Sequence, residues 1–289
     1  MAKDRDIERV PASRFLPVAL TVAGSDSGGG AGIQADCRAF SELGVHGTVA
    51  ITAVTAQNPQ GVTDVHPVPP VSVEAQIRAV CQAFCVRAAK TGMLFDRAVI
   101  QTVSDVFASL PGLSLVVDPV MVATSGAPLL RQDAVETLKA ALLPRATLIT
   151  PNLAEAELLT GQSIAADVSA RLDAACALRD RFGAAVLLKG GHCGGRLSSD
   201  ILVTAEAAWQ LDACRVEVPS SHGTGCALSA AVVAGVAQGM NLLDAVRQAK
   251  AYVHAALSNS VEAGDRTWVM QPSAAFDVHR VRCTRLPLP

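Results

Sequence analysis

Residues 17–44 read PVALTVAGSDSGGGAGIQADCRAFSELG. An apolar run over 17–23 passes without a break into a glycine-rich turn. Beyond the turn, Ile33, Cys37, Phe40 and Leu43 fall at i, i+4, i+7 and i+10, one stripe of an α-helix. A strand apolar on both faces that turns straight into a helix is the repeating unit of a parallel sheet covered by helices.

The same unit recurs along the chain. Short Val/Leu/Ile/Ala runs stand at 48–56, 114–118, 146–150 and 184–188. Helical stripes lie between and after them: Val73, Ile77, Val80 and Phe84; Val99, Val103, Val106 and Leu110; Val135, Leu138 and Leu142; Val246, Ala249, Val253 and Ala256. Residues 63–66 suggest a short edge strand, and 200–203 with 208–218 a β-meander. The pattern predicts one α/β domain over 15–264, its sheet covered on both faces. An N-terminal extension (1–14) and a C-terminal tail (265–289) fall outside the pattern, and no repeat or low-complexity linker divides the chain.

Composition bounds the function. Of 289 residues, 50% are hydrophobic and only 3% aromatic, so the core is built from Ala, Val, Leu and Ile rather than rings. So long and apolar a chain excludes disorder over most of its length. A net charge of −2 and few aromatics leave neither a basic footprint nor stacking platforms for nucleic acid. The eight cysteines include no C-x-x-C pair, which argues against a zinc ribbon or a thioredoxin-type site; they read as reduced core residues. The start, MAKDRDIERV, mixes both charges and lacks the apolar segment of a secretory signal. The most apolar run, 226–237, is shorter than the roughly 20 residues a membrane span needs. A soluble cytoplasmic protein without membrane or nucleic-acid partners is expected.

In an open α/β sheet, ligands bind beyond the carboxyl ends of the strands. After the first run come Gly24, Ser25, Asp26 and a segment whose glycines let backbone approach a ligand closely. No Gly-Lys-Ser/Thr follows, and the spacing is not that of a dinucleotide fingerprint. Asp36, one turn into the helix, faces either the ligand or solvent. After the second run, Gln57 offers an amide donor and acceptor that suit a heteroaromatic edge, or a loop hydrogen bond. Asp118 ends the third run, ahead of Pro119, Val120 and Met121 and then 123–126; metal, phosphate or helix capping would each explain a carboxylate there. Met93 lines either a pocket or the core. After the fourth run, Asn152 and Glu155 form a capping box or place Glu155 near a magnesium shell. After the fifth, Lys189 can meet a nucleotide phosphate, and His192 reads as a loop residue. The strongest element is His222-Gly223-Thr224-Gly225-Cys226, which opens an apolar helix. Bare amides at a helix N-terminus form an anion hole, and a thiol at its mouth is expected to have a lowered pKa. The alternative is a capped core helix with Cys226 pointing inward.

In this order, these motifs resemble the ribokinase superfamily, and more narrowly the hydroxymethylpyrimidine/phosphomethylpyrimidine kinases of thiamine biosynthesis. The match spans about 17–257 and includes Thr52-Ala53, Thr91-Gly92-Met93-Leu94 and Gly223-Thr224-Gly225-Cys226, whose last position is usually Asp in the wider superfamily. The resemblance implies a three-layer α/β/α fold with a mostly parallel sheet, a homodimer, and ATP and Mg2+ as cosubstrates. It implies that Gln57 bonds an aminopyrimidine in a pocket lined by Gly24, Thr55, Met93 and Val120, with Asp36 nearby. Thr55 departs from the valine expected there. Lys189 and Asn152 would meet the nucleotide, Glu155 would hold magnesium through water, and Asp118 is a second metal candidate. Gly223, Thr224, Gly225 and Cys226 would carry the catalysis, with Cys226 as proton acceptor. A pyridoxal kinase of the same superfamily and a non-catalytic pyrimidine-binding protein are the alternatives.

Overall fold

The computed structural model describes residues 15–122, 129–191, 194–271 and 273–288. The expected N-terminal extension, the 123–126 segment and His192 lie outside them. The glycine-rich turn joins β1 (Val18–Asp26) to α1 (Gly32–Glu42). There follow β2 (His46–Asn58), β3 (Gly61–Pro67), α2 (Pro70–Ala83), β4 (Val86–Thr91), α3 (Arg97–Ala108) and β5 (Ser114–Val117). The Val135 stripe forms an irregular helical stretch: α4 (Val135–Thr137) sits between a 3-10 turn (Gln132–Ala134), a π-helical turn (Leu138–Leu142) and a second 3-10 turn (Leu143–Arg145). Pro144, which cannot donate a helical hydrogen bond, stands in that last turn.

The chain continues through β6 (Leu148–Ile149), α5 (Leu153–Thr160), α6 (Val168–Phe182), β7 (Ala185–Leu188), β8 (Leu197–Val203) and β9 (Ala208–Cys214). It ends with α7 (Thr224–Ala237), α8 (Leu242–Ser258), the hairpin β10 (Val261–Gly264) and β11 (Thr267–Val269), and β12 (Arg282–Leu286). The sheet order is β12-β9-β8-β7-β6-β5-β4-β1-β2-β3. Pairing is parallel from β2 through β1, β4, β5 and β6 to β7, and antiparallel at both flanks.

Side-chain alternation along the strands builds two cores. Leu20, Val22, Leu115 and Val117 pack with α2, α3, α5 and α6. Ala19, Val116, Leu148 and Leu187 pack with α1, α7 and α8. The expected three-layer α/β/α sandwich is thus the fold. Helix α7 is apolar on nearly every face because it lies between the sheet and the helices α1 and α8. Among the described residues, no helix is long and apolar enough to cross a membrane.

Two expectations need correction, and one strand was not expected. The segment read as a tail supplies β12, which pairs with β9 from Arg282–Asp212 to Leu286–Ala208. Its five residues alternate too briefly to announce themselves. The unexpected strand is β4: it carries no apolar run, since Ala88, Ala89, Lys90 and Thr91 are small or polar, although all four are fully buried. The second strand of the meander stops at Cys214 rather than at 218.

β1 has β2 on one side and β4 on the other, so chain order reverses there. In an open α/β sheet, that reversal opens a crevice beyond the strand ends.

Candidate active site

Two loops meet at the crevice. Asp26, at the end of β1, organises the first: its Oδ1 accepts the Gly28 N–H and its Oδ2 the Ala31 N–H, both at 2.8 Å. His222, just ahead of α7, brings in the second, with Nε2 3.0 Å from Asp26 Oδ2. Burial pushes the Asp26 carboxyl up, but the bonds from His222, Ala31 and Gly28 outweigh it and hold the group below the usual carboxylate range. The loops touch at the backbone: Gly223 has φ +82°, and a Cβ there would stand 1.8 Å from the Gly30 carbonyl oxygen, so only glycine fits.

Among the described residues, no side chain caps α7. The amides that open a helix have no partner within it, and an anion is favoured there. Thr224 is partly occupied, because its N–H and hydroxyl both turn back to the Ser221 carbonyl. Cys226 is partly exposed. Burial pushes the thiol up to about 11, against the pull of the Lys90 ammonium and the Gly32 N–H. This reverses the expected lowering: desolvation outweighs the helix mouth.

A charge cluster lies behind the cradle. Lys189 Nζ is 2.9 Å from Asp118 Oδ1 and 4.0 Å from Glu155 Oε2. A Cβ on Gly225 would stand 3.4 Å from Lys189 Nζ, so the cation sits against the cradle's own backbone. Asp118 also accepts from Thr150 and Ser229. Burial pushes Asp118 up, but Lys189 and Lys90 outweigh it and keep the group ionised. Asn152 and Glu155 form the complete capping box of α5. Burial, reinforced by Asp118, nevertheless pushes Glu155 up to about 7, with Lys189 pulling it down. Among the described residues, no cluster of three or more His, Cys, Asp or Glu could hold a metal by itself.

The residues expected to line a ring pocket make local contacts of their own. A Cβ on Gly24 would stand 3.1 Å from Met93 Sδ. Met93 packs with Ala53 and Leu129, against Val62, Val65, Phe95 and Val120. Thr55 and Gln57 share a face of β2, with the Thr55 hydroxyl 3.2 Å from Gln57 Oε1. Asp36 does not open onto this space. It is fully buried, with one oxygen taken by Lys90 and the other by Thr21. Burial pulls Lys90 down, but the Asp36 carboxylate outweighs that and holds the ammonium above its ordinary value.

A cavity of about 490 Å3 opens beyond the cradle, running from Asn152, Lys189 and Gly225 to Val216, Val253 and Leu257. Lys250 and Asp200 form an ion pair of 2.6 Å in its wall, and Asp200 also accepts the Gly190 N–H. The sequence motifs missed Lys90, Lys250, Asp200 and the partner of His222. Lys90 left one signal, a charge closing a run of small apolar residues.

The comparisons with known proteins agree with this arrangement. The family model described as phosphomethylpyrimidine kinase matches residues 26–271. A hydroxymethylpyrimidine/phosphomethylpyrimidine kinase of Rhizobium meliloti is 51% identical over 241 residues, covering 83% of this chain and 90% of that protein. Among solved structures, a Staphylococcus aureus pyridoxal kinase in complex with AMP-PCP and pyridoxal superposes with a TM-score of 0.84 at 32% identity, over 94% of this chain and 100% of that one. A phosphomethylpyrimidine kinase from Clostridium difficile gives 0.73 at 38% identity, over 82% and 97%. With the N-terminus of α7 beside a lysine at the wall of a cavity, and with this extent of similarity, the chain belongs to the phosphomethylpyrimidine kinase family.

Proposed function

We propose that this kinase transfers the terminal phosphate of ATP to 4-amino-5-hydroxymethyl-2-methylpyrimidine, and then a second phosphate to the monophosphate, in thiamine biosynthesis. One arrangement supports this above all: Lys189 stands against Gly225 at the N-terminus of α7, and both line the large cavity. The nucleotide takes the cavity, its phosphates meet Lys189 and Asn152, and the ring takes the apolar cluster.

In the first transfer the hydroxymethyl oxygen forms a bond to the terminal phosphorus. The bond from that phosphorus to the bridging oxygen breaks and ADP leaves. Catalysis of this kind is mostly positioning and charge stabilisation. Backbone N–H groups of Gly223, Gly225 and Cys226 donate to the transferring group, Lys189 neutralises its charge, and Cys226 takes the hydroxyl proton. Magnesium fits the charge cluster. A buried carboxyl pushed up to about 7 is short of positive charge, and Glu155 with Asn152 would hold the ion through water. Asp118 is the lesser candidate, since it already accepts from Lys189, Thr150 and Ser229. When bound, the ion neutralises phosphate charge. A cytoplasmic homodimer completes the reading, on the resemblance alone.

A pyridoxal kinase is the second reading, favoured by the higher TM-score of the Staphylococcus aureus structure. The 51% identity to a hydroxymethylpyrimidine kinase weighs against it. An anion cradle is superfluous in a non-catalytic binder. Mass spectrometry of products from the pyrimidine or pyridoxal with MgATP tests all three. Mono- and diphosphates of the pyrimidine are expected; pyridoxal phosphate alone, or no product from either, overturns the proposal.

A further inference from the structure

Thr55 Oγ1 lies 2.8 Å from the Ser25 carbonyl oxygen and 3.2 Å from the Gln57 Oε1. Both are acceptors, and a threonine hydroxyl has one proton to give. Thr55 is only 4% exposed, so water does not readily supply a second donor. Turning a carboxamide by 180° exchanges its oxygen and its NH2 between the same two sites, and the surrounding hydrogen bonds choose between them. With the Thr55 proton given to Ser25 over the shorter contact, the Gln57 end that faces Thr55 is the NH2. It donates to the hydroxyl oxygen, and the Gln57 carbonyl points the other way. The Gln57 backbone does not compete, because its N–H and C=O are both engaged by Ser27 Oγ.

We propose that Thr55 is a positioning residue that turns Gln57 into a hydrogen-bond acceptor toward the bound ring, so that the site selects hydroxymethyl heteroaromatics carrying an exocyclic N–H donor at that edge. This rests on the kinase reading above and on Gln57 meeting the ring. An amino group then pairs with the Gln57 oxygen. A ring carbonyl in the same place sets two acceptors face to face, and a site built for a hydrogen bond rejects a group that cannot make it. Valine, which the resemblance led us to expect here, offers no hydroxyl. The amide would turn freely to serve either edge, and the site would be broader. Thr55 narrows it.

The test compares kcat/KM for 4-amino-5-hydroxymethyl-2-methylpyrimidine with that for its 4-oxo analogue, in which a carbonyl oxygen replaces the amino group. The wild-type chain, Thr55→Val and Thr55→Ser are measured, with thermal melts to follow folding. The amino-to-oxo ratio falls about tenfold in Thr55→Val, the scale of one hydrogen bond, and is kept in Thr55→Ser, which retains the hydroxyl. A purely structural role would lower both activities together and leave the ratio unchanged. An unchanged ratio in a Thr55→Val protein that still phosphorylates the amino compound overturns the inference alone, as does a ratio lost in Thr55→Ser. Should Thr55→Val fail to fold, the Thr55→Ser ratio and that of Thr55→Ala decide in the same way. No turnover of the amino compound by the wild-type chain overturns the kinase reading and this inference with it.

Discussion

His222 Nε2 stands 3.0 Å from Asp26 Oδ2, across 196 positions of sequence, and this contact joins the loop that opens α7 to the loop that follows β1. On the proposed reading, each loop carries one side of the transfer site. Positioning accounts for much of phosphoryl transfer, and an ångström-scale misplacement can cost a hundredfold in rate. His222→Ala is therefore expected to lower kcat/KM about tenfold or more while leaving the fold intact. Limited proteolysis will show faster cutting in the 27–31 segment. An unchanged rate with an unchanged digestion pattern would remove the latch from the mechanism.

Asp26 makes the same contact pH-dependent. Its folded pKa lies below its ordinary value near 3.8, so the unfolded chain takes up the proton first as pH falls. The contribution of Asp26 is present above the ordinary carboxylate range and is lost as pH drops through the lowered folded value. Asp26→Asn is expected to cost about 2 kcal/mol at neutral pH, the scale of hydrogen bonds to a charged group. Urea melts at stepwise lower pH should bring the two proteins together below pH 4. A gap that stays constant to pH 2 contradicts the assignment.

Lys90 and Asp36 carry opposite charges at zero exposure. Removing one partner strands the other, at a cost of about 3–5 kcal/mol, whereas apolar replacement of both is far milder. Lys90→Met should be strongly destabilised, and Lys90→Met/Asp36→Leu should recover much of the loss. A double-mutant cycle by chemical denaturation measures this. Additive losses would mean the two groups do not hold each other.

These residues mark what a sequence can show. The capping box of Asn152 and Glu155 was legible because its partners are three positions apart. The strand–glycine–helix unit at 17–44 was legible for the same reason: its signals are local. Asp36 was not, since its partner Lys90 lies 54 positions away, and a carboxylate one turn into a helix looks alike whether it faces a ligand or a buried lysine. Nor was β12, whose only argument for being a strand is β9. Cys226 stands in the first turn of α7, as the helix-mouth motif has it, but the direction for its thiol is reversed, because the desolvation around it comes from the packed fold and not from its own helix.

On the proposed reading, that thiol would distinguish the two transfers. An alcohol must lose a proton on attack, whereas a phosphate monoester is already largely anionic at neutral pH, with its second pKa near 6. Cys226→Ala is expected to slow phosphorylation of the alcohol by a factor on the order of 10²–10⁴, the range of general-base catalysis, and to slow the monophosphate step much less. With the folded pKa near 11, only a small fraction of Cys226 is thiolate at pH 7, and that fraction grows about tenfold per pH unit. The alcohol step should therefore accelerate from pH 7 to 9 in the wild-type chain and lose that slope in Cys226→Ala, while the monophosphate step stays nearly flat in both. Rates measured separately on the two substrates decide the matter. Equal losses in both steps, or an alkaline slope that survives the substitution, would leave Cys226 a donor of its backbone N–H and no base.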